Sequence, residues 1–220
     1  MLLLAFDTAT PAVTVALADA SAVLTETTTV DARRHGELLA PGIAAVLARA
    51  GADRRDVTQV AVGVGPGPFT GLRVGLVTAR VLGGALSVPV AGVCTLDVLA
   101  LAARELDAQG EPDAQGELDA FRVATDARRR EVYWAAYRGG VRVEGPHVDR
   151  PADVAWAGPV AGAGPRLYPD AFPQARAPEL PSAAALCRHV LAGLPTLAPE
   201  PLYLRRPDAV EPAGRKPVRA

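Results

Sequence analysis

The spacing of the apolar residues changes in an order that few folds tolerate. Leu2–Phe6 is a short apolar run, Val13–Leu17 alternates after the Thr10-Pro11 break, and Val23–Thr29 is rich in β-branched residues. Three such runs, parted by turn residues, predict an antiparallel meander. The period then turns helical. Leu38, Leu39, Ile43, Val46 and Leu47 share a stripe that stops at Gly51, with Pro41 inside it to remove one backbone bond. Gln59–Val64 returns to strand, Leu72–Leu86 to helix and Val88–Val93 to strand, and Thr95 caps a helix running to Leu106. The order β-β-β-α-β-α-β-α predicts a mixed sheet with an antiparallel half and parallel additions, covered by helices.

Between Leu106 and Ala120 the chain reads LDAQGE-PDAQGE-LDA, a repeated stretch with no apolar periodicity. It reads as a duplicated, solvated loop at a domain boundary. Beyond it, Phe121–Thr125, Glu131–Arg138, Gly140–Glu144 and Val154–Ala161 predict a second set of strands, and Ser182 caps a helix to Leu194. The expected organisation is a first lobe over 1–106, the loop over 107–120, a smaller second lobe over 121–206, and a frayed, Pro- and Arg-rich tail over 207–220.

Charge narrows the chemistry. Lys+Arg 23 against Asp+Glu 24 gives a net charge of −1, which argues against a domain that grips nucleic acid alone. Lys216, in the tail, is the only lysine, so neither a Schiff-base nor a P-loop lysine exists in the body. Cys94 and Cys187 form no CxxC and fit a reducing compartment. Only three serines occur, none in a nucleophile elbow. The N-terminus has no basic region before its apolar run, and the longest uncharged run, Val81–Leu96, is broken by Gly83, Gly84, Pro89 and Gly92. A soluble cytoplasmic protein without a membrane segment is expected.

The densest motif is Gly63-Val-Gly-Pro-Gly-Pro-Phe-Thr-Gly-Leu-Arg-Val-Gly75, set between a predicted strand and a predicted helix. Such turns present backbone N–H groups to anions. The dinucleotide pattern fails at Thr70 and the Walker pattern lacks its lysine, so a tight packing turn is the competing reading. Asp7-Thr-Ala-Thr10 ends the first strand as a metal-bound phosphate site would, or as an ordinary turn. Asp7, Thr8, Gly65 and Gly67 are therefore candidates for a vestigial phosphate loop. His35 and Glu37 stand two apart on a helix, a poor metal pair; Glu37 suits the helix N-terminus. Arg128-Arg-Arg130 reads as a hairpin tip, or as a contact for phosphate or an acidic partner.

Phe6-Asp-Thr-Ala-Thr10, His35-Gly-Glu-Leu-Leu-Ala-Pro41, Gly65-Pro-Gly-Pro-Phe-Thr-Gly-Leu-Arg73 and Pro89-Val-Ala-Gly-Val-Cys-Thr-Leu96 occur in this order. Together they resemble the TsaB (YeaZ) family, whose signature is GPGSFTGLR. Thr125-Asp-Ala-Arg-Arg-Arg-Glu-Val-Tyr133 resembles that family's DARRGEVY, and Pro201-Leu-Tyr-Leu-Arg205 its terminal PxYLR. The chain departs from the pattern at Pro68 and Gly36, where serine is usual, at Arg130, where glycine is usual, and in the 107–119 insertion.

The resemblance implies an α/β fold of the two-lobed actin/Hsp70/sugar-kinase type, with ribonuclease-H-like mixed sheets flanked by helices. It implies a non-catalytic subunit that supports TsaD, with the ATPase TsaE, in threonylcarbamoyl transfer to the adenosine beside the anticodon of tRNAs reading ANN codons. It further implies a heterodimer with TsaD, a homodimer when alone, tRNA contact only through the complex, no cofactor of its own, and ATP or ADP at most at a complex interface. The sister family binds metal through HHMEGH; the matching stretch here, Cys94-Thr-Leu-Asp-Val-Leu99, puts Thr95 and Leu99 at the two ligand positions. The expected partner surface is Leu38, Leu39 and Ile43 on the first helix with Phe69, Leu72 and Leu76 on the second, flanked by Arg73 and Arg80. Two rivals are an ATP-dependent kinase of the same fold, weakened by the short second lobe, and a metallopeptidase, weakened by the missing histidines.

Overall fold

In the computed structural model, which describes residues 1–109 and 118–205, strands Leu2–Asp7 (β1) and Ala12–Asp19 (β2) are buried along almost their whole length. They are central strands covered on both faces, so the alternation read over Val13–Leu17 is one of larger against smaller side chains, both buried. Val23–Val30 (β3) is threonine-rich and half exposed, as suits an edge. Gln59–Gly63 (β4) and Val90–Val93 (β5) complete a sheet of order β3-β2-β1-β4-β5, with β1–β2 and β2–β3 antiparallel and β1–β4 and β4–β5 parallel. The predicted mixed sheet is therefore present.

Its two faces differ in residue size. Leu4, Phe6, Val15, Leu17 and Val62 point into a core closed by helices His35–Arg49 (α1) and Phe69–Leu86 (α2). Leu3, Ala5, Ala16, Ala18 and Ala61 point the other way, where small side chains let helices come close. That face is covered by Thr95–Gln109 (α3) and by a helix distant in sequence.

The second sheet repeats the plan. Ala120–Asp126 (β6), Val132–Arg138 (β7), Val141–Asp149 (β8), Pro159–Ala161 (β9) and Gln174–Arg176 (β10) lie in the order β8-β7-β6-β9-β10, with the first three antiparallel and the rest parallel. One helical turn, Gly164–Leu167 (α4), follows β9. Helix α3 is shared between lobes. Val98 and Ala102 pack on the first sheet, while Leu96, Leu99 and Ala103 pack with Phe121, Val123 and Tyr137 of the second.

Several expected boundaries move. Helix α3 extends to Gln109, so the loop expected at 107–120 begins within its last turn, and residues 110–117 lie outside the described residues, as does the 207–220 tail. The strand expected over Val154–Ala161 shrinks to β9, with a short 3-10 turn, Pro151–Val154, before it. The largest correction concerns the chain's return. Helix Ala183–Leu191 (α5), expected in the second lobe, packs on β1 and β2 of the first sheet through Ala183, Ala185, Leu186 and Cys187. Glu26 of β3 fixes its start, accepting from Ser182 Oγ at 2.9 Å and Ala184 N at 3.0 Å, a carboxylate at the positive helix end. Residues 197–205 then run back along the first lobe: Leu197 pairs with Gly92, and Leu202 N donates to the Val64 carbonyl at 2.9 Å.

Candidate functional site

The β1–β2 turn seats Asp7, Thr8 and Ala9 against the glycine-rich segment that joins β4 to α2. Asp7 is fully buried; one carboxylate oxygen accepts from Ala9 N at 2.7 Å and the other from Thr95 Oγ1 at 2.7 Å. Burial pushes its carboxyl above the usual range, opposed by those two bonds and by the nearby His35. Thr8 Oγ1 donates to the Gly71 carbonyl at 2.8 Å and accepts from Gly75 N at 3.1 Å. The glycines are needed for contact: a Cβ would lie 1.8 Å from Asp7 Oδ2 at Gly63 and 2.2 Å from the Ala9 carbonyl oxygen at Gly67. Gly65, at φ 91°, turns its carbonyl to accept from Thr95 N at 2.8 Å.

The four phosphate-loop candidates, Asp7, Thr8, Gly65 and Gly67, thus meet as a packed plug, with the Thr8 hydroxyl bonded to Gly71 and Gly75 and Gly67 close against Ala9. A cavity of about 160 Å³ lies beside it, lined by Thr8, Thr70, Gly71 and Arg128. Thr95 and Leu99, at the positions of the sister family's histidines, are both fully buried, Thr95 bonded to Asp7 and Leu99 in the core. His35 is also buried and donates through Nε2 to the Thr10 carbonyl at 2.7 Å. Among the described residues no His, Cys, Asp and Glu gather as a metal-holding group. Burial pushes the Cys94 and Cys187 thiols up to about 12, so both are neutral packing groups.

Between the lobes lies a cavity of about 270 Å³ lined by Thr10 and Pro68 from the first lobe and by Asp126, Arg128, Arg166 and Glu179 from the second. Arg128-Arg-Arg130 is the expected hairpin tip, with φ of 60°, 55° and 61° in succession. Arg128 pairs with Asp126 at 3.1 Å, and Arg166 with Glu179. Arg166 and Glu179 were missed in the sequence because no local motif joins them. A signal did exist: Gly162-Ala-Gly-Pro165 after β9 echoes the Gly65-Pro-Gly-Pro68 after β4, and Gly162 takes φ 94°.

The expected partner surface needs correction. Leu39, Leu72 and Leu76 are 2%, 0% and 3% exposed, because they form the inner stripes that seal α1 and α2 onto the sheet. Leu38, Ile43 and Phe69 are half-buried. Arg73 and Arg80 face outward but are held by the returning chain: Arg73 Nε donates to Tyr203 Oη and Arg80 Nε to the Pro199 carbonyl, each at 2.9 Å. The Phe69 ring packs at a tilt against Tyr203, with ring centroids 4.8 Å apart. The outward face of α2 presents Val77 and Val81, 60% and 62% exposed, one turn apart.

Two sheets of one connectivity, facing across a cleft and joined by a shared helix, define the actin/Hsp70/sugar-kinase class of fold. A family model described as tRNA N6-adenosine threonylcarbamoyltransferase (TsaD) matches residues 23–209. The structure superposes on YeaZ from Pseudomonas aeruginosa with a TM-score of 0.75 at 30% identity, covering 92% of this chain and 99% of that one. An uncharacterized protein of Mycobacterium tuberculosis is 46% identical over 211 residues, 94% of this chain and 92% of that protein. The tRNA threonylcarbamoyladenosine biosynthesis protein TsaB of Escherichia coli is 37% identical over 138 residues, 63% of this chain and 55% of that protein. The chain belongs to the TsaB (YeaZ) family.

Proposed function

We propose that this protein acts in tRNA threonylcarbamoyladenosine formation as a non-catalytic subunit that docks TsaD through the outer face of α1 and α2. The observation that carries the reading is that face itself. Val77 and Val81 stand exposed one turn apart on α2, and Ala40, Ala44 and Gly84 are exposed and uncharged on the two helices. Exposed apolar side chains on a helix face are what a protein interface buries. Phe69, Leu38 and Ile43 border it, and Arg73 and Arg80 form its charged rim. A second copy of the chain uses the same face when the partner is absent.

The occupied state of Asp7 and the identities of Thr95 and Leu99 support a role without chemistry of its own, and weigh against the kinase and peptidase alternatives. ATP or ADP, where the assembly uses it, is placed at the joint with TsaD rather than over Asp7, with TsaE as the ATPase. Binding to tRNA alone is expected to be weak at a net charge of −1. The test mixes the purified chain with TsaD and measures mass by light scattering, then repeats it with Val77→Glu/Val81→Glu. The double variant is expected to keep its circular dichroism spectrum and lose the complex, together with transfer of threonylcarbamoyl to tRNA. An intact complex in that folded variant moves the interface elsewhere.

A further inference from the structure

A surface arginine ordinarily samples many rotamers, and ordering it costs entropy when it binds. Arg73 is exposed, yet it is already held. Its Nε donates to Tyr203 Oη at 2.9 Å, and its guanidinium carbon lies 5.5 Å from the centre of the Phe69 ring and 5.8 Å from that of Tyr203. Tyr203 is itself anchored through its neighbours in the chain. Leu202 N donates to the Val64 carbonyl and its side chain packs against the cores of both lobes, while Arg205 Nη1 donates to the Ala127 carbonyl at 2.8 Å.

What this leaves over is the outer fork. Nε is spent on Tyr203, and among the described residues no carboxylate pairs with Arg73 and nothing accepts from its two Nη groups. Arg80 differs: it donates to the Pro199 carbonyl and has Glu200 at 3.8 Å. Arg73, Val77 and Val81 recur every four residues on α2, so the fork stands one turn before Val77 on the stripe those valines expose. A planar pair of N–H groups matches the two oxygens of a carboxylate, and holding the side chain beforehand removes part of the entropy that such a contact costs.

We propose that Arg73 is a specificity-determining residue of the α1–α2 face: its fork takes a side-chain carboxylate, Asp or Glu, of the docked protein. Tyr203 is the positioning residue that aims it. The proposal rests on the reading of that face as the surface that docks TsaD, and it adds the chemistry the partner has to offer there.

The composition supplies a direct test. Lys216 is the only lysine, so Arg73→Lys puts a side-chain amine at the fork in a body that has no other. With the complex held above its Kd, a water-soluble carbodiimide is expected to join position 73 as an amide to one Asp or Glu of TsaD, identified by peptide mass spectrometry. By titration calorimetry Arg73→Lys is expected to weaken binding about tenfold, because a point charge replaces a two-bond fork. Tyr203→Phe keeps the ring and removes the acceptor; it is expected to cost about threefold, and nothing further in an Arg73→Gln background. A merely structural role of the hydroxyl would persist in that background, and such persistence overturns the assignment of Tyr203. Undiminished binding in folded Arg73→Lys, or a complex with no coupling at position 73, overturns the proposal. So does an Arg73 effect that appears only with added ATP or ADP, which assigns the fork to a phosphate. Val77→Glu/Val81→Glu reports on the face and the Arg73 variants on the fork. A complex lost in the first but undiminished in Arg73→Lys leaves the face standing and removes the fork; a complex intact in the first removes both.

Discussion

Asp7 and Asp126 end the first strand of their respective sheets and make the same local bond. Each accepts through Oδ1 from the backbone N–H two residues on, Ala9 and Arg128, at 2.7 Å. The surroundings then part. Asp7 is roofed by the glycines that lead into the 18-residue α2, and its second oxygen takes the Thr95 hydroxyl. Asp126 has only the four-residue α4 beside it, and its second oxygen pairs with an exposed arginine. The same turn is thus a buried keystone in one lobe and a wet rim in the other. What differs is where the glycines of the neighbouring connection land: Gly63 and Gly67 lie against Asp7 and Ala9, whereas Gly162 and Gly164 lie against Ala124 and leave Asp126 uncovered.

The sharpest way to break this comparison is Gly63→Ala. The new Cβ falls on a carboxylate held from both sides, so the plug has to open, at a cost of about 3 kcal/mol or more and a fall in Tm of about 6–12 °C. A thermal melt unchanged within about 2 °C would show that Asp7 is not fixed. Asp7→Asn comes next and is read through pH. The native carboxyl is raised above its ordinary 3.8 by burial, so above that value the unfolded chain gives up its proton first. Wild-type stability relative to Asp7→Asn is therefore full below 3.8 and declines as the pH climbs through the raised native value. Urea denaturation of both proteins between pH 3.5 and 7 checks it, and a difference that rises with pH contradicts it.

Arg130→Gly probes the open turn. A left-handed arginine at φ 61° carries strain that glycine does not, so about 1 kcal/mol of stabilisation is expected, or about 2–4 °C in Tm. Destabilisation would mean that the side chain anchors the turn. The smallest effect belongs to Asp126→Asn. It loses only an exposed ion pair and is expected to cost under about 1 kcal/mol by urea denaturation, far less than Gly63→Ala.

The first lobe was legible because its elements alternate in period and their pairing is mostly local. Arg130 was legible too: glycine is the family's usual residue where this chain takes a positive φ. Helix α5 was legible as a helix capped by Ser182, but its place was not, since Ala183, Ala184 and Ala185 give it an apolar face that would suit either sheet. Only Glu26 and Thr14, far away in sequence, choose the first. The glycine segment was legible as a motif but not in its use, because open and packed turns need the same residues. Neither cavity was legible, since each is lined by side chains from elements distant in the chain.

The return of α5 to the first sheet also bears on how the protein is made. Ala183 bonds to Thr14 across 169 positions, and Tyr203 to Arg73 across 130. As the chain leaves the ribosome, the alanine-lined face of β1 and β2 stays bare until residues 183–191 have followed. The first lobe, though made before the second, is sealed after it. Its folding waits on those later residues, and during that interval the nascent sheet presents an apolar surface of the kind chaperones hold.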